Sequence, residues 1–447
     1  MLFRSSRGTG RKALAAVPAA LALALTAACG SSSGGTPAAS SKDALNAPVT
    51  LTFWSWAPAI APTVKLFEQS HPDIKINLVN AGQSATEYTK LATAMKGGGA
   101  PDVAQIEYYA LPQFVLSKQV ADLTPYGAAA LQPQYTKSAW AQVAINGGIY
   151  GYPQDTGPLV MFYRTDVFKK LGLNPPATWA EYQADAAKIH QADPTKYIGS
   201  IDPADAGGMN SLLWQAGGTP FRTTNSTTVT TNLSDDAANK VTTLWTSLIQ
   251  QKQVNVTAGW TGDWWKAMGA GTYATWIAGA WAPGVIASTI PQSQADWAAA
   301  PVPQWTAGTY VSAENGGSSV AVMANSPHKA AAAAFAQWLD TDPTATQALT
   351  ANGLFPATTA VLNSDAFQNA SIAALGGQQA NKVFADSSAH VAAGWQYLPF
   401  QVYANSVYGD TVGHAETAGT SLLDGLAAWK KQIDAYAGQE GFKVGNS

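Results

Sequence analysis

The chain has 447 residues, of which 47% are apolar and only 12% charged, with 25 Lys and Arg against 28 Asp and Glu. Residues 1–28 hold four cations (Arg4, Arg7, Arg11 and Lys12) and no acid, so the remainder sets 21 cations against 28 acids, a net charge of −7. That balance excludes nucleic acid as a partner, since such binding rests on Lys and Arg neutralising phosphates, and the length affords two or more domain-sized cores.

The first element is a leader. A basic start gives way to an apolar, alanine- and leucine-rich run from Ala13 to Leu25, then to Thr26-Ala27-Ala28-Cys29. This is the plan of a secretory signal, too short and too poor in large residues for a membrane span. Cys29 is the only cysteine and has no internal disulfide partner. It stands where a bacterial lipoprotein signal is cut and lipidated, and the segment resembles a lipobox with Thr26 in the place usual for Leu. An ordinary signal peptide with an incidental cysteine is the other reading. Residues 29–47, rich in Ser, Gly and Ala, read as a flexible linker.

From Val49 the pattern alternates strand and helix. Val49 to Phe53 reads as a strand, 62–70 as a helix stopped by His71-Pro72-Asp73, and Ile74, Ile76 and Leu78 alternate as a second strand. Tyr88, Leu91, Ala92 and Met95 recur at helical spacing, Gly97-Gly98-Gly99 ends that helix, and Pro101 to Ile106 begins a third strand. This βαβαβ run predicts an α/β fold with a mostly parallel sheet flanked by helices, and ligands bind beyond the carboxyl ends of such strands. Further helices are predicted from Ser234-Asp235-Asp236, over 329–339 and over 418–434. No later stretch offers twenty consecutive apolar residues.

Ordered landmarks over residues 48–440 resemble the extracellular solute-binding proteins of sugar ABC importers, the family that includes maltose-binding protein. Leu51 to Trp56 matches the first strand and its ligand-facing loop, Ala100-Pro101-Asp102-Val103 the third strand, and Gly151 to Tyr163 the crossover between lobes. Asn174 to Tyr182, Trp265 to Trp281 and Asn315 to Ser318 match later landmarks. The resemblance implies two α/β lobes joined by two or three hinge segments: 48–155 with 315–355, and 156–314 with 356–440, followed by a tail at 441–447. It also implies a sugar or oligosaccharide held in the cleft, membrane permease subunits as partners, a lipid anchor at Cys29 on the outer face of the cell membrane, and a monomer.

Sixteen tryptophans and sixteen tyrosines supply flat faces with polar edges, suited to a ligand that combines C–H faces with many hydroxyls. Trp56, after the first strand, is a candidate platform, whereas Trp54 alternates toward the core. Gln83 follows the second strand. Glu107, beside Tyr108 and Tyr109, offers a carboxylate that accepts two hydroxyl hydrogen bonds. Each of these two also reads as a plain loop or rim residue. Asp155 lies in the crossover, as ligand acid or as a cap on the Thr156-Gly157 backbone. Trp214 and Trp281 are candidates, Trp214 equally as core. The turn at Glu314 and Asn315 can reach the cleft, Trp395 is a further platform, and Trp260 and Trp264 read as packing. Gly284 to Ala287 reads as a helix start.

Two rivals remain at this level. A secreted carbohydrate-active enzyme could use Glu107 and Asp155 as its carboxylate pair. Yet no Gly-x-Ser-x-Gly elbow or His-Glu-x-x-His motif is present, and the five histidines lack metal-ligand spacing, so no catalytic residue, metal or cofactor is expected. The same fold could instead hold a polyamine or a peptide. Anionic ligands fit poorly, because the expected cleft segments carry almost no Arg or Lys.

Overall fold

The computed structural model describes residues 43–445, except 46 and 226. The leader, Cys29 and most of the linker lie outside the described residues. Seven strands form one hydrogen-bonded sheet: β1 (Val49–Trp54), β2 (Ile74–Val79), β3 (Val103–Glu107), β4 (Tyr152–Arg164), β5 (Thr275–Gly279), β6 (Trp297–Pro301) and β7 (Glu314–Val322). The order is β5-β4-β7-β3-β1-β2, with β6 also paired to β4. β1 pairs in parallel with β2 and β3, as the βαβαβ run requires. The crossing strands then add antiparallel pairs, β7 to β3 and to β4, and β5 and β6 to β4. The sheet is therefore mixed, because the chain enters the second half along strands that return rather than cross over.

β4 is the element that joins the two halves. Its first residues, Tyr152 to Pro158, pair with β7, and Leu159 to Arg164 pair with β5 and β6. Pro153 and Pro158 lack the N–H that a central strand donates. β7 answers with register shifts between Glu314 and Gly317 and between Ser318 and Ser319, so the ladder is interrupted near those prolines. The apolar cores change over within the same strand. One cluster draws on residues from Leu51 to Tyr152 and from Val320 to Ala357. The other two draw on residues from Leu159 to Ala437, including Trp179, Trp245, Trp297 and Trp429.

Helix starts follow their caps. Thr178 and Glu181 form a reciprocal capping box before Trp179–Ala192. Asp235 accepts the N–H of Ala238 at 2.8 Å before Asp236–Gln250. The helix predicted over 418–434 instead begins at Leu422 and runs to Gln439. Gly419, at φ 65°, closes the preceding helix Val412–Ala418, and Ser421 then caps the new one on Asp424. The helix expected from Gly284 starts earlier, at Ala282, with Trp281 as its N-cap residue and Pro283 in its first turn. Within the expected tail, Lys443–Gly445 adds a strand in parallel to Thr228–Thr231. No described helix is long and apolar enough to cross a membrane.

Candidate functional site

The carboxyl ends of β1 and β3 bring Trp56 and Glu107 to one rim. Trp56 is half-buried and meets Tyr88 edge-on, with ring centroids 6.3 Å apart. The Tyr88 hydroxyl donates to Glu107 Oε2 at 2.9 Å and accepts the backbone N–H of Glu107, also at 2.9 Å. Burial raises the Glu107 carboxyl above its ordinary range, opposed by the hydroxyls of Ser84, Tyr88 and Tyr109. Gln83, in the next loop, is exposed. Tyr108 is not on this rim. It is 2% exposed, its ring packs where a Gly317 side chain would stand, and its hydroxyl donates to the Asp155 carbonyl at 2.9 Å. The half-buried neighbour Tyr109 takes the position the sequence gives to Tyr108.

The crossing strands place two buried acids between the lobes. Asp155 Oδ1 accepts the N–H of Ser318 at 2.8 Å, and burial pushes its pKa up to about 7. The backbone N–H of Gly157 goes to Glu314 Oε2 at 2.8 Å, so Glu314, not Asp155, caps that turn. Glu314 Oε1 accepts from the Ser138 hydroxyl at 2.9 Å, and burial raises this carboxyl to about 7 as well. Asp155 is thus bonded to β7, and Glu314 to β4 and to the Lys137–Val143 helix. Asn315 faces the other way. Its Nδ2 donates to Ser211 Oγ at 3.1 Å, and its carbonyl accepts the Trp281 indole N–H at 2.7 Å.

Around Asn315 opens a cavity walled by Trp260, Trp264, Trp276 and Trp281, with Asp202, Asp205 and Glu416 among its lining acids and no Lys, Arg or His. The four indoles, with Trp265, pack in one cluster with ring centroids 4.5 to 6.1 Å apart. Trp264 is buried and donates to Ser200 Oγ at 2.8 Å. Trp260, which the sequence assigns to packing, is 56% exposed. Its backbone sits at φ 61°, an uncommon conformation for a large residue. Asp205 caps the helix Ala206–Gln215 on Gly208 at 2.9 Å, and Asp202, just past the strand Gly199–Ile201, accepts the N–H of Ala204 on Oδ1 at 3.0 Å. No group of three or more His, Cys, Asp or Glu among the described residues is arranged for a metal ion.

Trp214 and Trp395 stand apart from that cavity. They stack face to face, with centroids 4.9 Å apart and 5° between planes, and each is under a twentieth exposed. The Trp214 indole donates to the Ala392 carbonyl at 2.7 Å. Both line a different cavity, shared with residues 132–142. Tyr397, unmarked in the sequence, packs against both the first and the second core, and the carboxylates of Glu314 and Glu107 help to raise its hydroxyl pKa.

Residues 38–346 match the model of the bacterial extracellular solute-binding proteins, and the chain belongs to that family. Among solved structures, the ABC transporter associated binding protein from B. animalis subsp. lactis Bl-04, in complex with beta-1,6-galactobiose, is 37% identical with a TM-score of 0.80, covering 89% of this chain and 100% of that one. The galacto-N-biose-/lacto-N-biose I-binding protein of Bifidobacterium longum, in complex with lacto-N-biose, is 25% identical with a TM-score of 0.79, covering 89% of this chain and 99% of that one. Among curated relatives, the lactose-binding protein of Rhizobium radiobacter is 26% identical over 62% of this chain and 67% of its own length. The two-lobed α/β fold expected from the landmarks is thus the fold of these proteins.

Proposed function

We propose that the chain captures a neutral sugar or short oligosaccharide between its two lobes and hands it, unaltered, to the membrane permease of an ABC importer. The observation that carries this reading is the composition of the cavity: five indoles, Trp245 as well as the four named above and one of them exposed, beside carboxylates and an amide, with no cationic side chain. Indole faces take the C–H faces of a sugar ring, and carboxylates accept its hydroxyls. On this reading Trp281, with Asp202 and Trp260 added, forms the wall on the second lobe, and Asn315 meets it from the crossing strand β7. Trp56, Glu107 and Tyr109 form the facing rim, and Gln83 stands at its edge. Asp155, Glu314, Trp214 and Trp395 act through the hinge and the core.

The lobes run over 48–155 with 315–355 and over 156–314 with 356–440, in keeping with the change of core along β4. Closure about the crossing strands would trap the ligand. A monomer tethered through lipid at Cys29 would place the cleft at the outer face of the cell membrane. The solved relatives held disaccharides, which makes β-1,6-galactobiose the first probe. Titration calorimetry with that sugar, lactose and monosaccharides, followed by chromatography of the mixture, tests the proposal. Stoichiometric binding without product supports it. Turnover of sugar, or tighter binding of a polyamine or peptide, overturns it.

A further inference from the structure

The lining of the tryptophan-walled cavity includes two residues that each carry a buried polar atom with no hydrogen-bond partner. Glu416, on the helix Val412–Ala418, is 1% exposed. Its Oε1 accepts from the Tyr408 hydroxyl at 2.7 Å, while Oε2 has no partner. Trp245, on the helix Asp236–Gln250, is 5% exposed, and its indole N–H also has no acceptor. Both residues line the cavity whose exposed side is Trp260. An unbonded polar group in the interior costs about 1–3 kcal/mol, and native proteins keep few of them. Two on the wall of one cavity, at its inner end, mark a place where a ligand atom completes the bonding.

We propose that Glu416 and Trp245 form an inner subsite that takes one oxygen-bearing substituent of the bound saccharide, either a hydroxyl or the carbonyl of an acetamido group. The proposal rests on the saccharide reading above and specifies which part of the sugar is buried deepest. Such an oxygen has two lone pairs. One accepts the Trp245 N–H and the other accepts a proton carried on Glu416 Oε2. The groups that face Glu416 support that proton: burial, with Asp205 and Asp202 adding like charge, raises its pKa to about 8, while the Tyr408 hydroxyl lowers it by bonding Oε1. At neutral pH the acid is thus mainly protonated, with Oε1 fixed as acceptor and Oε2 left to donate. A sugar that lacks the substituent would leave both groups unpaired, which is how a polar site rejects a deoxy analogue.

Calorimetry on the full chain tests this with two probes, β-1,6-galactobiose for a hydroxyl and lacto-N-biose for an acetamido carbonyl. The sugar that binds more tightly identifies the substituent. For that sugar Trp245→Phe, which keeps an aromatic ring but deletes the N–H, is expected to weaken binding by about tenfold, one lost hydrogen bond. Glu416→Gln keeps an acceptor for Tyr408 and supplies an N–H donor in place of the acid proton. It is expected to bind within about twofold of wild type near neutral pH and to stay flat up to about pH 9, while wild-type affinity falls above about pH 8 as the proton leaves. Glu416→Met is expected to lose binding at every pH. Unchanged affinity in Trp245→Phe together with a wild-type pH profile as flat as that of Glu416→Gln overturns the subsite. So does a sugar-bound crystal structure in which water alone meets Glu416 Oε2 and Trp245 Nε1. If wild type binds neither disaccharide nor any other sugar, it is the saccharide reading that fails, whatever the variants do.

Discussion

The indole N–H of Trp281 donates to the main-chain carbonyl of Asn315 at 2.7 Å. Trp281 begins the helix Ala282–Thr289, and Asn315 sits on β7, which runs between the lobes. The bond ties one wall of the cavity to a crossing strand, so the ring that would meet a ligand is positioned by the hinge itself. The other edge of the same strand carries Glu314, bonded to Gly157 and Ser138. Neighbouring residues on β7 thus serve opposite faces, one the cavity and one the frame.

Truncation of the wall should cost affinity and not fold. Trp281→Ala and Trp56→Ala are each expected to weaken disaccharide binding by at least about tenfold, since buried aromatics dominate such contacts. Trp281→Phe should fall between, because it keeps a ring but loses the tie to Asn315. Calorimetry on the sugar that wild type prefers is the check. Affinities equal to wild type in both alanine variants would discard the platform assignment.

Two glycines make room for that tie. A Cβ at Gly157 would run into the Asn315 carbonyl oxygen, and one at Gly279 would strike the Trp281 indole nitrogen. Gly157→Ala is therefore expected to destabilise the chain by about 1–3 kcal/mol, as overpacking does, and to weaken ligand binding at the same time by displacing Asn315. Thermal melts read the first effect and calorimetry the second. A variant that melts and binds like wild type would show that β4 and β7 can part without cost.

Much of this frame was legible in the chain. The β1-to-β3 run, the Thr178–Glu181 start and the cap at Asp235 are local signals, set by periodicity and by side chains that bond the next few residues. The site was legible only in part. Trp281 and Asn315, marked through their landmarks, both line the cavity. Tyr108 and Tyr109 exchange roles because a strand end does not fix which neighbour faces out. Trp260, read mainly as packing, is an exposed wall of the cavity with a positive φ, neither of which composition reveals. Asp202 could have been found, since it follows the strand Gly199–Ile201 where ligands gather. Glu416, Trp245 and Tyr397 carried no such signal: Glu416 and Trp245 are distant in the chain from most of the residues that line the cavity with them, and Tyr397 packs on two cores drawn from distant segments.

The hinge acids make stability depend on pH. Glu314 moves from an ordinary 4.5 to about 7 and Asp155 from 3.8 to about 7, both raised chiefly by burial. The folded chain therefore binds more protons than the unfolded chain between about pH 4 and about pH 7. Stability contributed by the protonated forms is present at the acid end of that window and is lost as pH rises through it. Stability, and with it the melting temperature of wild type, should fall across the window, by at most roughly 3 to 4 kcal/mol per acid. Glu314→Gln keeps an acceptor for Gly157 or Ser138 and should flatten the slope. A slope that survives in the double variant with Asp155→Asn would assign it to other groups.

Cys29 provides a test on the cell. If it carries the lipid, the chain made in its native host should partition with membranes, and Cys29→Ser should release it to the aqueous fraction while leaving sugar affinity within about twofold, since anchoring and cleft share no residue. Detergent-phase separation reads the partition. Membrane association unchanged in Cys29→Ser would point to an uncleaved leader as the anchor.

The stacked pair Trp214 and Trp395 should behave in the opposite way to Trp281. Each ring covers one face of the other, and the Trp214 indole N–H is already taken by the Ala392 carbonyl. A ring so occupied offers little to a sugar and much to the core. Trp214→Ala removes a buried indole, opens a cavity and leaves the Ala392 carbonyl without its donor, a loss of about 3–5 kcal/mol in comparable cores. Thermal melts should show a large drop, while the affinity of the fraction that remains folded, measured well below the melt, should stay within about threefold of wild type. Trp281→Ala should show the reverse, a small change in melting and a large one in affinity. Weakened binding in Trp214→Ala with an unchanged melt would move the ligand from the cavity around Asn315 to the one shared with residues 132–142.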